Sequence, residues 1–330
     1  MEKGVSVILC CYNSASRLRE TLRYLALQKT EVICEIILVD NASTDNTKEV
    51  AVRCWSEFGC TAIPLKIVDQ PVQGLLFARE KGIDSSKYNV LIFCDDDNWL
   101  EQSYVQNAYD ILENHPHIGA VGGTGTPVAD DPLPDWFDLY KGCFACYPQG
   151  EVDGELTHPI SFLYGAGLAV KREVFQRLAA KKFQPILPDR VGAKLTSGAD
   201  TELSYALRLA GYKLWFSGNL KFFHYLSAFR LTEEYLYRLI SSMSYCSGIL
   251  TIYNYVLTGK KMNRFVWLKD VAYQLFFFSK SLLRYSLSNN SSLDKKLSLA
   301  FSYNRMRSIF LQVGKYRSRY KHIMHLKLSN

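Results

Sequence analysis

LIFCDDDNWL, residues 91–100, sets four apolar or thiol-bearing side chains directly ahead of three consecutive carboxylates. A run without apolar and polar alternation suits a strand buried on both faces, as in a parallel sheet covered by helices. Asp95, Asp96 and Asp97 then stand where that strand leaves the sheet. Carboxylates held within a few Å of one another repel, and one is driven to keep its proton unless a cation neutralises the cluster. A hard divalent ion, Mg2+ or Mn2+, is the expected neutraliser, because it takes carboxylate oxygens and completes its shell with substrate phosphates.

Working outward, the same kind of run recurs. VSVILCCYN (5–13), EIILVDNAS (35–43) and LKIVDQ (65–70) read as buried strands. Between them SRLRETLRYLALQ (16–28), TKEVAVRCWSEF (47–58) and GLLFAREKGIDSS (74–86) carry helical spacing, with Leu18, Leu22 and Leu25 on one face of the first. Strict alternation of strand and helix implies right-handed βαβ units and a mainly parallel central sheet flanked by helices. In such sheets ligands gather outside the carboxyl ends of the strands. Tyr12 and Asn13, Asp40 and Asn41, and Asp95 to Asp97 fall at those ends. Singly they read as turn residues, and Ser14 or Ser16, or Ser43, Thr44 or Asp45, as caps of the following helices. Jointly, three successive strand ends carrying acceptors read as half of a metal diphosphate site.

Composition narrows the class. The chain has 330 residues, 48% hydrophobic and 22% charged, enough for a sizeable core without staples. Nine cysteines in mostly apolar surroundings, and a start with no small-residue cleavage site, point to a reducing, cytoplasmic setting. Cys143-x-x-Cys146 lacks the second pair or nearby histidines that zinc sites use. Residues 1–230 hold 23 Lys and Arg against 28 Asp and Glu, whereas residues 231–330 hold 16 against 4. An acidic body of −5 therefore carries a basic, aromatic, helical tail of +12. Such a tail fits an anionic membrane surface on the inner face of the cell membrane, or packs its aromatic stripe on the body. No motif for reading nucleic acid accompanies the charge. The most apolar stretch, residues 265–287, is interrupted by Lys269, Asp270, Lys280 and Arg284, so it suits lying on a membrane better than crossing one.

In order and spacing, VSVILCCYNSASRLRETLRYLALQ, EIILVDNASTDNT, GLLFAREKGI and LIFCDDDNWL resemble the nucleotide-binding half of family 2 glycosyltransferases. YGAGLAVKREVF (164–175) and SGADTELSYALRLAGYKLWF (197–216) resemble the family's acceptor half. The resemblance spans roughly residues 4–230. It implies a GT-A fold over 1–230, with a nucleotide half at 1–100 and an acceptor half at 101–230, followed by a C-terminal α-helical extension at 231–330. By resemblance, Tyr12 and Asn13 line the base pocket and Asp40 accepts from a ring N–H, which favours uracil. Asn41, Arg79, Asp95 and Asp96 join them around the nucleotide sugar, Asp97 ligates Mn2+ or Mg2+, and Asp200 is the general base. Where most relatives have Glu before that Asp, this chain has Ala199. His224 is either a further metal ligand, as in many GT-A enzymes, or a core histidine among aromatics. Trp99 either floors the acceptor sugar or packs a helix.

The chemistry also follows from first principles. An acceptor hydroxyl must lose a proton while a diphosphate leaves with growing negative charge, which calls for a carboxylate base and a divalent cation on opposite sides of the anomeric carbon. Such in-line displacement inverts configuration. Asp200 has a competing role as a helix cap. The stretch PVADDPLPDWFDLY (127–140) fits a mobile loop over the acceptor site or a plain surface loop. The reading is an inverting transferase taking a UDP-sugar to a glycan or lipid-linked glycan. A non-catalytic nucleotide-sugar-binding scaffold is the alternative that Ala199 supports. A sugar nucleotidyltransferase would need a Gly-rich phosphate loop, and CCYNSAS has no Gly.

Overall fold

The computed structural model describes residues 2–187, 195–287 and 292–327. Its first half is the alternation read from the sequence: β1 (Glu2–Cys11), α1 (Leu18–Ala26), β2 (Cys34–Asp40), α2 (Thr47–Phe58), β3 (Leu65–Asp69), α3 (Leu75–Ser85) and β4 (Tyr88–Asp95). There follow β5 (Asn98–Leu100), α4 (Tyr104–Asn114), β6 (Ile118–Val128), α5 (Phe137–Tyr140), β7 (Gly154–Glu155), β8 (Ala169–Lys171), α6 (Arg172–Ala180), α7 (Ala199–Leu209) and β9 (Lys213–Tyr225). A short 3-10 turn, Ala228–Leu231, leads into the helical extension: α8 (Glu233–Leu257), α9 (Arg264–Ser286), α10 (Leu293–Leu311) and α11 (Tyr316–Met324).

The strands form one sheet in the order β3-β2-β1-β4-β8-β6-β9-β5, with β7 paired to β9. β3, β2, β1 and β4 are parallel, β8 runs antiparallel between β4 and β6, and β9 is parallel to β6. β1 therefore lies between β2 and β4, and the helices leaving its two sides open a crevice at its carboxyl end. Register sets Asp40 beside Cys11 and Asp95 beside Cys10.

Alternate residues serve opposite faces. Val7, Leu9, Ile36, Leu38, Val90 and Ile92 pack with α1, α2 and α4, while Ile8, Ile37, Val39, Leu91 and Phe93 pack with α3, α6 and α7. Every residue of β2 is buried, which is why its sequence shows no alternation. The α1 stripe of Leu18, Leu22 and Leu25 is fully buried, each side chain contributing about 1.5–3 kcal/mol by leaving water.

The extension belongs to the same core. Ile249, Leu250 and Tyr253 of α8, Trp267 of α9, Ile309 of α10 and Ile323 of α11 join the cluster that holds Leu207 of α7. Packing on the body thus accounts for much of the tail's apolar content. α9 differs: only Trp267 and Gln274 are buried in it. Among the described residues no helix is long and apolar enough to cross a membrane.

One local expectation is corrected, and one loop is located. α1 starts after Arg17 without a side-chain cap, because the Ser14 backbone carbonyl takes the Arg17 and Leu18 N–H groups and its hydroxyl turns to Asp96. The 127–140 stretch is anchored at its end, where Phe137 is buried with Phe144 against Tyr235 and Leu236 of α8. Tyr225 also donates its hydroxyl to Asp130 at 2.5 Å.

Candidate active site

At the end of β2, Asp40 is buried, its Oδ2 lies 3.9 Å from Lys48 Nζ, and its Oδ1 has no partner among the described residues. Tyr12, in the loop after β1, is half-buried, and its hydroxyl accepts from Gln73 at 3.2 Å. Asn13 takes a left-handed backbone (φ 49°), donates its N–H to Ser43 Oγ and accepts the Thr44 N–H at 2.8 Å, so it stitches the β1 and β2 loops together. The Asn41 amide donates to the Gln70 and Val72 carbonyls and its oxygen accepts the Gly74 N–H, so it builds the loop ahead of α3 while one lone pair of that oxygen is left over.

The acidic triplet divides by direction. Asp96 is buried and turned inward, where Ser14 and Arg17 donate to its Oδ2, the latter at 2.5 Å. Burial, then the adjacent Asp97 charge, push its carboxyl up to about 6 against the pull of Arg17 and Ser14. Through that oxygen Asp96 anchors α1 and the loop ahead of it. Asp95 ends β4, half-buried, next to Cys10. Asp97 lies against the far side of the sheet, because β5 pairs antiparallel with β9, Asn98 opposite His224, and the Tyr225 N–H donates to the Asp97 carbonyl at 2.9 Å.

That pairing assembles a three-residue cluster. Arg230 Nη1 donates to Asp97 Oδ2 at 2.6 Å and to His224 Nε2 at 3.2 Å, and His224 Nε2 lies 3.6 Å from Asp97 Oδ1. His224 Nδ1 sits 2.7 Å from the Phe144 carbonyl. A carbonyl only accepts and a guanidinium only donates, so Nδ1 carries the proton and Nε2 presents its lone pair to the cluster. Burial works against the Asp97 charge, but the Arg230 guanidinium in contact with its Oδ2 outweighs that and holds the carboxyl well below the usual range. The charge that the triplet needs is thus supplied, in this structure, by Arg17 on one side and Arg230 on the other. A carboxylate and an imidazole Nε2 with its Nδ1 pinned to a carbonyl would fit Mn2+ as a partial donor set better than Mg2+, which prefers oxygen ligands. Among the described residues no three His, Cys, Asp or Glu side chains form a ready cage, so substrate oxygens would complete the shell. The Cys143–Cys146 segment contributes through its turn, which presents the Phe144 carbonyl and whose Cys146 thiol donates to the same oxygen.

Arg79 of α3 lies over the Phe93 ring at 5.0 Å. Its charge and that of Asp95 act oppositely on the Cys10 thiol, which burial pushes up to about 12. On its other side Arg79 approaches Gly165, where a methyl group would meet Arg79 Nη2 at 3.0 Å and Asp200 Cβ at 3.4 Å. Asp200 is the second residue of α7, not its cap, a place taken by Gly198. Its Oδ2 accepts from Gly165 N–H and its Oδ1 from Thr201 N–H, both at 2.9 Å. These two bonds fix the carboxylate while leaving lone pairs on each oxygen.

Trp99 stacks with Tyr24 and Tyr225 at ring-centroid distances of 5.7 and 5.8 Å, the packing reading of this residue. Sequence reading missed Arg17, Arg230, Phe144 and Gly165. Arg230 had one available signal, a cation in SAFRLTEEY immediately after a strand end carrying His224.

The sequence profile described as Glycosyl transferase family 2 matches residues 6–179, just over half of the chain. A glucosyl-dolichyl phosphate glucuronosyltransferase of Haloferax volcanii is 27% identical over 174 residues, covering 52% of this chain and 53% of that protein. Glycosyltransferase AglE of the same organism is 27% identical over 218 residues, covering 64% of each. The chain spans about half the length of the first of these relatives and under two thirds of the second. In three dimensions the mannosyltransferase PcManGT of Pyrobaculum calidifontis, solved with GDP-Man and Mn2+, aligns with a TM-score of 0.57 at 19% identity over 99% of this chain and 85% of its own. S. aureus TarS 1-349, solved with UDP-GlcNAc, aligns with 0.52 at 15% identity over 91% of each chain. The GT-A architecture and the profile agree with the strand-end chemistry, and the chain belongs to glycosyl transferase family 2.

Proposed function

We propose that the chain is an inverting glycosyltransferase that moves a sugar from a UDP-sugar to a hydroxyl of a glycan or lipid-linked glycan. The observation that supports this reading is the approach of Arg79 and Asp200 to each other at Gly165, together with the unpartnered Asp40 oxygen at the carboxyl end of β2. Asp40 accepts a ring N–H of the base beside Tyr12, and Asp95 and Arg79 lie along the donor. Asp200, its plane held by Gly165 and Thr201, takes the proton of the acceptor hydroxyl as that oxygen attacks. Asp97 and the His224 Nε2 would hold Mn2+ or Mg2+, which stabilises the charge on a leaving diphosphate. The nucleotide sugars named with PcManGT and TarS are consistent with a donor of this class. The deciding experiment is Asp200→Asn with a panel of UDP-sugars. Hydrolysis-corrected transfer should fall ~10²–10⁴-fold while UDP affinity holds, the range expected for loss of a general base. Unchanged transfer would remove Asp200 from this role, and UDP binding without transfer by either protein would favour the scaffold reading.

We also propose that the extension docks on an anionic membrane through α9. Its outward face carries Phe265, Leu268, Phe276, Leu283 and Leu287, with Phe265 81% and Leu287 77% exposed. Lys269, Lys280 and Arg284 flank that stripe, while the helix's one acidic residue, Asp270, turns inward to accept from the Tyr255 hydroxyl at 2.5 Å. An apolar stripe edged only by cations matches a lipid interface with negative headgroups. Phe276→Glu with Leu283→Glu should abolish co-sedimentation with phosphatidylserine vesicles, leaving melting unchanged. Retained sedimentation, or a loss of dimer in solution instead, would reject the membrane as occupant.

A further inference from the structure

Arg230 bridges Asp97 and His224. Its guanidinium contacts Asp97 Oδ2 at 2.6 Å and the lone pair of His224 Nε2 at 3.2 Å, the two protein atoms best suited to ligate such an ion. The side chain is mostly withdrawn from solvent, and its Nε is buried without a partner among the described residues. It belongs to no stiff element: Arg230 sits in the 3-10 turn Ala228–Leu231 that joins β9 to α8, while Asp97 and His224 are fixed by the sheet. An ion entering between Asp97 and His224 would meet a fixed positive charge at contact distance, a repulsion that Asp97 alone does not offset. A diphosphate changes the sum by bringing negative charge both to the ion and to the guanidinium, which pairs well with phosphate oxygens.

We propose that Arg230 is a built-in counter-ion that occupies the cation site and makes metal uptake conditional on the donor diphosphate. Without donor, Arg230 keeps Asp97 neutralised and His224 in register. With donor, the guanidinium leaves Asp97 and His224 for phosphate oxygens, and the vacated pair accepts the ion. This inference rests on the proposed cation site and adds an order to its assembly. Arg230 is a positioning residue in this scheme, since it acts through Asp97 and His224.

The test is Mn2+ binding to the full chain, followed by the electron paramagnetic signal of free Mn2+, with and without UDP and corrected for Mn2+ bound by UDP in buffer. The wild-type chain should take up Mn2+ weakly alone and roughly tenfold or more tightly with UDP, the scale expected from cancelling one like charge within a few Å. Arg230→Met, which keeps the apolar stem, should bind Mn2+ without UDP roughly tenfold more tightly than wild type. Arg230→Lys should retain the dependence on UDP in part. If wild type binds Mn2+ equally well with and without UDP, the proposal is overturned without recourse to any variant. If Arg230→Met folds by its circular dichroism and binds no more tightly than wild type, it is likewise overturned while the cation site stands. If no protein binds Mn2+ under any condition, the cation site itself is rejected along with the counter-ion.

Discussion

At the residue scale, Asp40 and Asp96 show that buried carboxylates at neighbouring strand ends can do opposite work. Asp96 has two strong donors and holds α1 in place, whereas Asp40 keeps one oxygen buried and unmatched. An unpaired buried acceptor costs the free protein about 1–3 kcal/mol, a cost tolerable where a ligand later supplies the donor. Asp40→Asn should therefore melt no lower than wild type by differential scanning calorimetry. UDP should bind it about ten- to a hundredfold more weakly by titration calorimetry, the worth of one hydrogen bond to a charged group. Lower melting with unchanged UDP affinity would make Asp40 a structural residue. Of the strand-end residues flagged by sequence, their location was legible because strand ends are local features. The internal partners of Asn41 and Asp96 were not, since Val72, Gly74, Ser14 and Arg17 come from other segments of the chain.

At the element scale, the start of α7 is held from two sides. Gly165 lets the 164–168 loop close between Arg79 and Asp200, so a methyl group in Gly165→Ala should displace the Arg79 guanidinium slightly and leave Asp200 in place. The expected outcome is a loss of transfer well short of the ~100-fold that a ~1 Å misplacement of a catalytic group costs, with circular dichroism unchanged. One turn further, Glu202 is buried and accepts from the Ile186 and Leu187 N–H groups and the Tyr253 hydroxyl. Burial raises its carboxyl above the ordinary glutamate range, against those bonds. A raised carboxyl binds protons better in the folded chain than in the unfolded one. Its contribution is therefore fully present below the unfolded value of about 4.3 and is lost as pH rises through the folded value. Glu202→Gln cannot titrate and leaves the Leu187 N–H facing an amide donor, costing about 1–3 kcal/mol. Urea unfolding should show that the mutant's deficit is larger at pH 4.5 than at pH 7.5, and a deficit independent of pH would refute the assignment.

For the whole molecule, the body and the extension share one core, since Ile249, Leu250 and Tyr253 of α8 pack in the cluster that holds Leu207 and Phe93. Ending the chain after residue 231 would uncover that surface, each large side chain forfeiting about 1.5–3 kcal/mol. Such a chain should be insoluble or lose its cooperative melting, whereas the intact protein should show one calorimetric transition across body and tail. A soluble, sharply melting truncation would contradict the shared core. The same fact explains why a tail with 16 cations and 4 acidic residues is not simply a membrane arm. α8, α10 and α11 contribute inward faces, and α9 alone among them turns most of its apolar residues outward.

The alternation of strand and helix, the parallel half of the sheet and the placement of acidic residues at its carboxyl edge were determined by the sequence alone, because period, β-branching and strand length are properties of contiguous residues. The Asp97–His224–Arg230 cluster was decided only by tertiary structure, for its members meet across 133 positions through the pairing of β5 with β9. Strand pairing and direction alone turned Asp96 into the protein and Asp97 toward His224. The presence of a guanidinium beside Asp97 depended on a turn whose position no local pattern records.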